Sequence, residues 1–113
     1  MVTNDVSALA VGQALYSPMC RPDGGIVDDV LVYRFADQFM VVVNAANLLK
    51  DFDWMKEQCP ADVALEDRSD DTALLAIQGP KAPEILRGQG GDAALELGYY
   101  RVPRGRACSA STR

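Results

Sequence analysis

Gly24-Gly25-Ile26-Val27-Asp28-Asp29-Val30-Leu31-Val32-Tyr33-Arg34-Phe35, followed by Ala36-Asp37 and then Gln38-Phe39-Met40-Val41-Val42-Val43-Asn44-Ala45-Ala46-Asn47, is the stretch that decides the fold. Two apolar, valine-rich runs joined by a short polar turn read as a β-hairpin with strands over residues 26–35 and 38–43. Each run carries polar residues that a buried strand should lack. Asp28 and Asp29 interrupt the first, and Asn44 closes the second. A carboxylate is costly to bury without partners, so it marks either an exposed strand entrance or a place where chemistry is done.

Alternation sorts these residues onto faces. Val27, Asp29, Leu31 and Tyr33 share one side of the first strand; Ile26, Asp28, Val30, Val32 and Arg34 share the other. A two-residue loop at Ala36-Asp37 and a four-residue loop over residues 35–38 give the same register, which sets Asp29 opposite Asn44, Leu31 opposite Val42 and Tyr33 opposite Met40. A three-residue loop would turn Asn44 to the other face. In the first register, one face presents a carboxylate, an amide and a phenol over an apolar floor, a surface suited to a flat, partly polar ligand. Asp28 reads better as a solvated residue at the strand entrance. Asn44 reads equally as a helix N-cap, and Tyr16 and Tyr33 also read as ordinary half-buried sheet aromatics.

Outward from the hairpin, Asn4-Asp5-Val6-Ser7 can cap a short turn through Leu9. Residues 13–19 read as a strand ended by Pro18 and the turn Arg21-Pro22-Asp23-Gly24-Gly25. Residues 47–59 read as a helix with the stripe Leu48, Phe52, Met55 and Cys59, widened by Leu49, capped by Asn47 and stopped by Pro60. Residues 63–66 and 72–78 are strand candidates, and residues 81–87 form a short helix closed by Gly88. This mixture predicts an α+β fold, a mainly antiparallel sheet with a central β-hairpin and two or three helices.

The 113 residues have the size of one domain, and 49% hydrophobic with 24% charged residues is globular composition. With no histidine, Ser-His-Asp and Cys-His schemes within the chain are excluded. Cys20, Cys59 and Cys108 are odd in number and widely spaced, which speaks against a disulfide framework or a zinc site, so no metal is expected. Residues 1–100 carry seven basic and all sixteen acidic residues, net −9, which argues against nucleic-acid binding. Residues 101–113 carry four arginines and no acid, and their composition fits a disordered basic tail. No run is long enough for a membrane span, and the start Met1-Val2-Thr3-Asn4-Asp5 has no signal-peptide pattern, so the expected compartment is the cytoplasm.

Several motifs in order carry a family resemblance: Asn4-Asp5-Val6, Tyr16-Ser17-Pro18-Met19, Asp23-Gly24-Gly25-Ile26-Val27-Asp28-Asp29, Val32-Tyr33-Arg34, Val42-Val43-Asn44-Ala45-Ala46-Asn47, Lys50-Asp51-Phe52-Asp53-Trp54 and Ala73-Leu74-Leu75-Ala76-Ile77-Gln78-Gly79-Pro80. From Thr3 to about Leu86 the chain resembles the glycine cleavage system T-protein, the tetrahydrofolate-dependent aminomethyltransferase. The resemblance implies transfer of the aminomethyl group from the lipoylated H-protein carrier to tetrahydrofolate, with release of ammonia. It implies Asp29 as the catalytic residue and Tyr16, Leu31, Tyr33 and Asn44 as the folate-binding residues. Leu31, Tyr33 and Asn44 are the residues that alternation placed with Asp29.

The same resemblance implies that the chain is partial. Family members are longer, begin upstream of Met1, and continue after Tyr99-Tyr100 into an Arg-Thr-Gly-Tyr-Thr-Gly-Glu type motif, where this chain has Arg101-Val102-Pro103-Arg104 and the basic tail. Residues 1–100 are therefore expected to form an incomplete folate-binding domain that turns over little or nothing alone. Two alternatives stand beside this reading. One is a folate-binding module of the dimethylglycine or sarcosine dehydrogenase type, or of an iron–sulfur assembly protein. The other is an inactive truncated product.

Overall fold

The computed structural model describes residues 1–103. Its frame is an antiparallel sheet of three strands in the order β1 (Gln13–Cys20), β2 (Ile26–Arg34), β3 (Phe39–Val42). Three helices follow: α1 (Leu48–Gln58), α2 (Ala82–Gly88) and α3 (Asp92–Leu95), with single 3₁₀ turns at Val6–Ala8, Ala45–Asn47 and Ser69–Asp71. The fold is α+β, as the pattern of strands and helices predicts.

The hairpin adopts the predicted register: Leu31 pairs with Val42, Val32 with Val41, Tyr33 with Met40 and Arg34 with Phe39. Favoured two-residue hairpin turns use positive φ, yet Tyr100 is the only non-glycine residue with positive φ among the described residues. The Ala36-Asp37 connection is instead tied by Phe35 N–H donating to Gln38 O at 2.9 Å, and apolar pairing along the strands holds the register. The ladder ends at Val42, so Asn44 is not a ladder partner of Asp29. The chain leaves the sheet there and enters the 3₁₀ turn Ala45–Asn47.

β1 continues through Pro18, which pairs with Asp29, to Cys20. Proline is tolerated on an outer strand because its missing N–H breaks no inner ladder. Segments at both ends of the described chain cover β1's outer edge. Val2 bridges Met19, with Cys20 N–H donating to Met1 O at 2.9 Å. At the other end Arg101 bridges Gln13, with Ala14 N–H donating to Tyr100 O and Val102 N–H to Gly12 O. Arg104, Arg106, Cys108 and Arg113, and with them most of the expected basic tail, lie outside the described residues.

One sheet face carries the core: Met19, Val30 and Val32 pack with Leu9 and Met55. Ser17 is fully buried beside them, and its Oγ accepts the Thr3 and Asn4 backbone N–H groups at 3.2 and 3.1 Å. The N-terminal segment is thereby pinned across β1. Asp5 caps the 3₁₀ turn Val6–Ala8 by accepting from Ser7 N–H. Arg34 donates to Leu9 O at 2.7 Å and lies over the Phe39 ring.

Three expectations are corrected. Residues 63–66 and 72–78 form no strand; Leu74 and Leu75 are 76% and 83% exposed. An apolar run becomes a strand only against a neighbouring edge, and none within residues 1–103 lies beside it. On α1, Leu49 does not widen the core stripe, being 75% exposed. The helix is rotated so that Asp51 and Met55 are its buried residues, with Trp54 packed against the core. Asn47 does occupy the N-cap position of α1, but its side chain makes no cap bond.

Met19→Ala is expected to destabilise the chain by about 2–5 kcal/mol through cavity formation, and Leu49→Ala by under about 0.5 kcal/mol. Urea unfolding of the two variants measures the contrast; equal effects would contradict this assignment of the core.

Candidate functional site

Asp28 and Asp29 are neighbours in β2 and face opposite ways, since successive strand residues alternate. Asp29 is exposed on the open face. Tyr16 is paired with Leu31 across the β1–β2 ladder, and its hydroxyl donates to Asp29 Oδ2 at 2.7 Å. That bond to a carboxylate raises the Tyr16 pKa, with partial desolvation and the Asp29 charge adding to it. Leu31 and Tyr33 continue the face. With Ala14, Tyr99, Tyr100, Arg101 and Val102 they line an open depression of about 350 Å³. Tyr99 and Tyr100 meet edge to face, their ring centroids 4.5 Å apart.

The structure thus brings Tyr16, Asp29, Leu31 and Tyr33 onto one face, as alternation and strand pairing require. Asn44 reaches the site differently. Its Nδ2 donates to Asp28 Oδ1 at 3.0 Å, to Asp29 O at 3.3 Å and to Asp29 Oδ1 at 3.3 Å. One amide with two hydrogens is shared among three acceptors, so it ties the two aspartates together across the sheet edge. Asn44 stands at the cap position of the 3₁₀ turn Ala45–Asn47, without a side-chain cap bond.

The reading of Asp28 as a solvated residue is overturned. Asp28 is only 8% exposed. Besides Asn44, its Oδ2 accepts from Asn47 Nδ2 at 3.1 Å. On the far side stands Asp51 of α1, fully buried, with neither carboxyl oxygen receiving a donor among the described residues. Lys50 Nζ is 3.6 Å from Asp51 Oδ1, too far for a good hydrogen bond, and donates instead to Val27 O at 2.7 Å. Two carboxyls facing each other in a buried place cannot both ionise cheaply, and the pKa values of such a pair split. Hydrogen bonding from Asp51, with help from Asn44 and Asn47, holds Asp28 well below the usual carboxylate range. Burial first, then the hydrogen bond with Asp28 and after it the Asp28 charge, push Asp51 up to about 6.

Sequence reading missed Asp28, Asn47 and Asp51 as a unit. The signal was present: Asn47, Asp51 and Met55 recur at i, i+4 and i+8 on α1, so a core-facing methionine places the carboxyl and the amide on the same side as itself.

Among the described residues no group of three or more acidic or thiol side chains could hold a metal ion. Among the described residues no helix is long and apolar enough to cross a membrane.

The three-stranded sheet buries one face and leaves a tyrosine–carboxylate surface on the other. The whole chain, residues 1–113, matches the protein family described as the GCVT N-terminal domain, and the chain belongs to that family. It is 52% identical over 88 residues to an aminomethyltransferase of Bacillus subtilis, a match covering 77% of this chain and 24% of the relative. It is 48% identical over 115 residues to one of Chloroherpeton thalassium, covering 99% of this chain and 32% of the relative. With one of Thermotoga maritima the identity is 48% over 102 residues, covering 88% and 28%. The chain therefore spans about a quarter to a third of the length of these relatives.

The split pair makes stability depend on pH in a defined sense. Because the folded chain holds the Asp51 proton more tightly than the unfolded chain, that contribution is full below the ordinary carboxylate range and is lost as pH rises through about 6. The Asp28 contribution runs the other way, present above the ordinary range and lost as pH falls towards its depressed value. Asp51→Asn should abolish the first decline. Relative to wild type, the variant should gain on the order of 2–3 kcal/mol between pH 4 and pH 7.5. Urea unfolding at the two pH values checks this, and parallel pH profiles would refute it.

Proposed function

We propose that this chain is the segment of a tetrahydrofolate-dependent aminomethyltransferase that supplies the acting carboxylate, Asp29, and one wall of the folate site. The observation that carries the reading is the open face itself: a solvent-facing carboxylate bonded to Tyr16, on the same sheet face as the depression that Leu31 and Tyr33 line, in a chain whose relatives are aminomethyltransferases. The face suits a flat heteroaromatic ring. Tyr16 and Tyr33 offer apolar area with a polar tip, Leu31 offers a floor between them, and the depression is open enough for a ring to enter edge-on. Tetrahydrofolate, as co-substrate, would supply the ring nitrogens that take up the one-carbon unit delivered on the lipoyl arm of an H-protein.

The chain's own residues define Asp29's task. Its Oδ2 accepts from Tyr16 and its Oδ1 from Asn44, so the carboxylate is held by two donors on different elements. A carboxylate held in this way need not reorganise to stabilise positive charge developing beside it. It can also take or return a proton at an adjacent nitrogen. Tyr16 serves as the removable partner: its hydroxyl can turn to an incoming polar atom and free Oδ2. Asn44 holds the other oxygen from behind. The remaining walls of the site, and the surface that receives the carrier, belong to the portion of the relatives that this chain does not span.

The test replaces the matching segment of the Bacillus subtilis relative with the corresponding 88-residue stretch of this chain and follows aminomethyl transfer to tetrahydrofolate. The chimera is expected to be active. Asp29→Asn within it should lower kcat by about 100-fold or more, while tetrahydrofolate binding by calorimetry is largely kept. Tyr33→Ala should chiefly weaken binding, by about 1–3 kcal/mol, as for other aromatic side chains stacked on a heterocycle. Normal turnover by Asp29→Asn would remove that residue from the catalytic role.

A further inference from the structure

Asp29 does not hold its orientation alone. Its Oδ1 and its backbone carbonyl both face the Asn44 amide, and that amide is anchored on its other side by Asp28 Oδ1 at 3.0 Å. Asp28 in turn accepts from Asn47 through Oδ2 and faces Asp51. Asp51 is fully buried, and its two oxygens receive no donor among the described residues. A fully buried carboxyl whose nearest cation is Lys50 Nζ at 3.6 Å favours keeping a proton that it can donate, and Asp28, held by Asn47 one turn earlier on the same side of α1, is the acceptor beside it.

We propose that Asp51 is a positioning residue: its protonated carboxyl donates to Asp28, fixing the Asn44 amide between the two aspartates and so setting the orientation of the Asp29 carboxylate. The result is a line of contacts from the core face of α1, through β2, to the open face of the sheet. It rests on the reading of Asp29 as the acting carboxylate, and it goes beyond that reading by assigning a positioning role to Asp51, on the opposite side of β2 from the open face.

The charged and titratable groups along this line are few. Lys50 stands beside Asp51 on α1, with its Nζ spent on Val27 O. Asp28 faces Asp51 from β2, and Asp29 and Tyr16 lie beyond Asn44. When Asp51 loses its proton, Asp28 keeps the two asparagine donors but gains a charged neighbour, and repulsion between the two carboxylates displaces Asp28 and with it the Asn44 amide. The chain contains no histidine, so a transition at about pH 6 falls where no unperturbed side chain of this protein titrates.

Ligand-free NMR on the full 113-residue chain tests this. The signals followed are the Asn44 side-chain amide and the Asp29 carboxyl carbon, in wild type, Asp51→Asn and Asp51→Leu, from pH 4.5 to 7.5. In wild type both signals should move together with one midpoint near 6. Infrared spectra should show a protonated-carboxyl band at pH 5 that Asp51→Asn removes. Asp51→Asn, whose amide donates at every pH, should hold both signals at their low-pH wild-type positions. Asp51→Leu, which has no donor, should displace them at every pH. The proposal fails if the signals in wild type show no common midpoint, if Asp51→Asn shows the same transition, or if Asn and Leu displace the signals alike. Should Asp51→Leu not fold, the comparison of wild type with Asp51→Asn still decides. Because no folate is present, loss of transferase function in the chimera and loss of this coupling are read separately.

Discussion

Two consecutive carboxylates in a β-strand must point to opposite faces of the sheet, and the rest of this structure is arranged around that constraint. Asp29 takes the exposed side, where Tyr16 and Asn44 donate to it. Asp28 is sent into the core face, beside Val30 and Val32. Burial of a bare carboxylate would cost several kcal/mol. The chain answers with a set of partners drawn from the segment that follows the hairpin: Asn44, Asn47 and Asp51 all converge on it. The helix α1 meets the sheet through this polar cluster as well as through Met55 and Trp54.

That arrangement explains several local departures from ordinary practice. Asn44 and Asn47 stand at helix-cap positions and yet cap nothing with their side chains; their amides are used across the sheet edge. β3 stops at Val42 because the chain must turn out of the sheet to bring those amides back over β2. α1 buries a carboxyl at the centre of its inner face, where an apolar residue would suit the stripe better. Each local rule gives way to the same buried charge. The cluster ends on Asp29, so a structural requirement of the core and the placement of that carboxylate share one amide.

The hairpin and its register were legible because period-two alternation over nine residues leaves few alternatives, and both even-numbered loops give the same pairing. The open face was legible for the same reason: once Leu31 is placed, Tyr33 and Asp29 follow. Asp28 was misread because its partners are 16, 19 and 23 residues away along the chain, and no local pattern announces that they return to it. The α1 stripe was misread because the reading counted only apolar residues, so Leu49 was drawn inward and Asp51 was left out. Residues 72–78 show the opposite failure. Their composition is that of a strand, but composition cannot provide an edge to pair with.

By itself the sequence determined the α+β class, the hairpin and its register, the helix that follows, and the company Asp29 keeps on its face, because these depend on periodicities of two and 3.6 residues that are written locally. Only the tertiary structure decided which of the two aspartates is buried, that Asn44 binds both, and that Asp51 stands behind them. The reason is physical: a carboxylate's state depends on which donors and charges surround it within a few ångströms, and those neighbours come from β2, the 3₁₀ turn and α1, which meet only when the chain is folded.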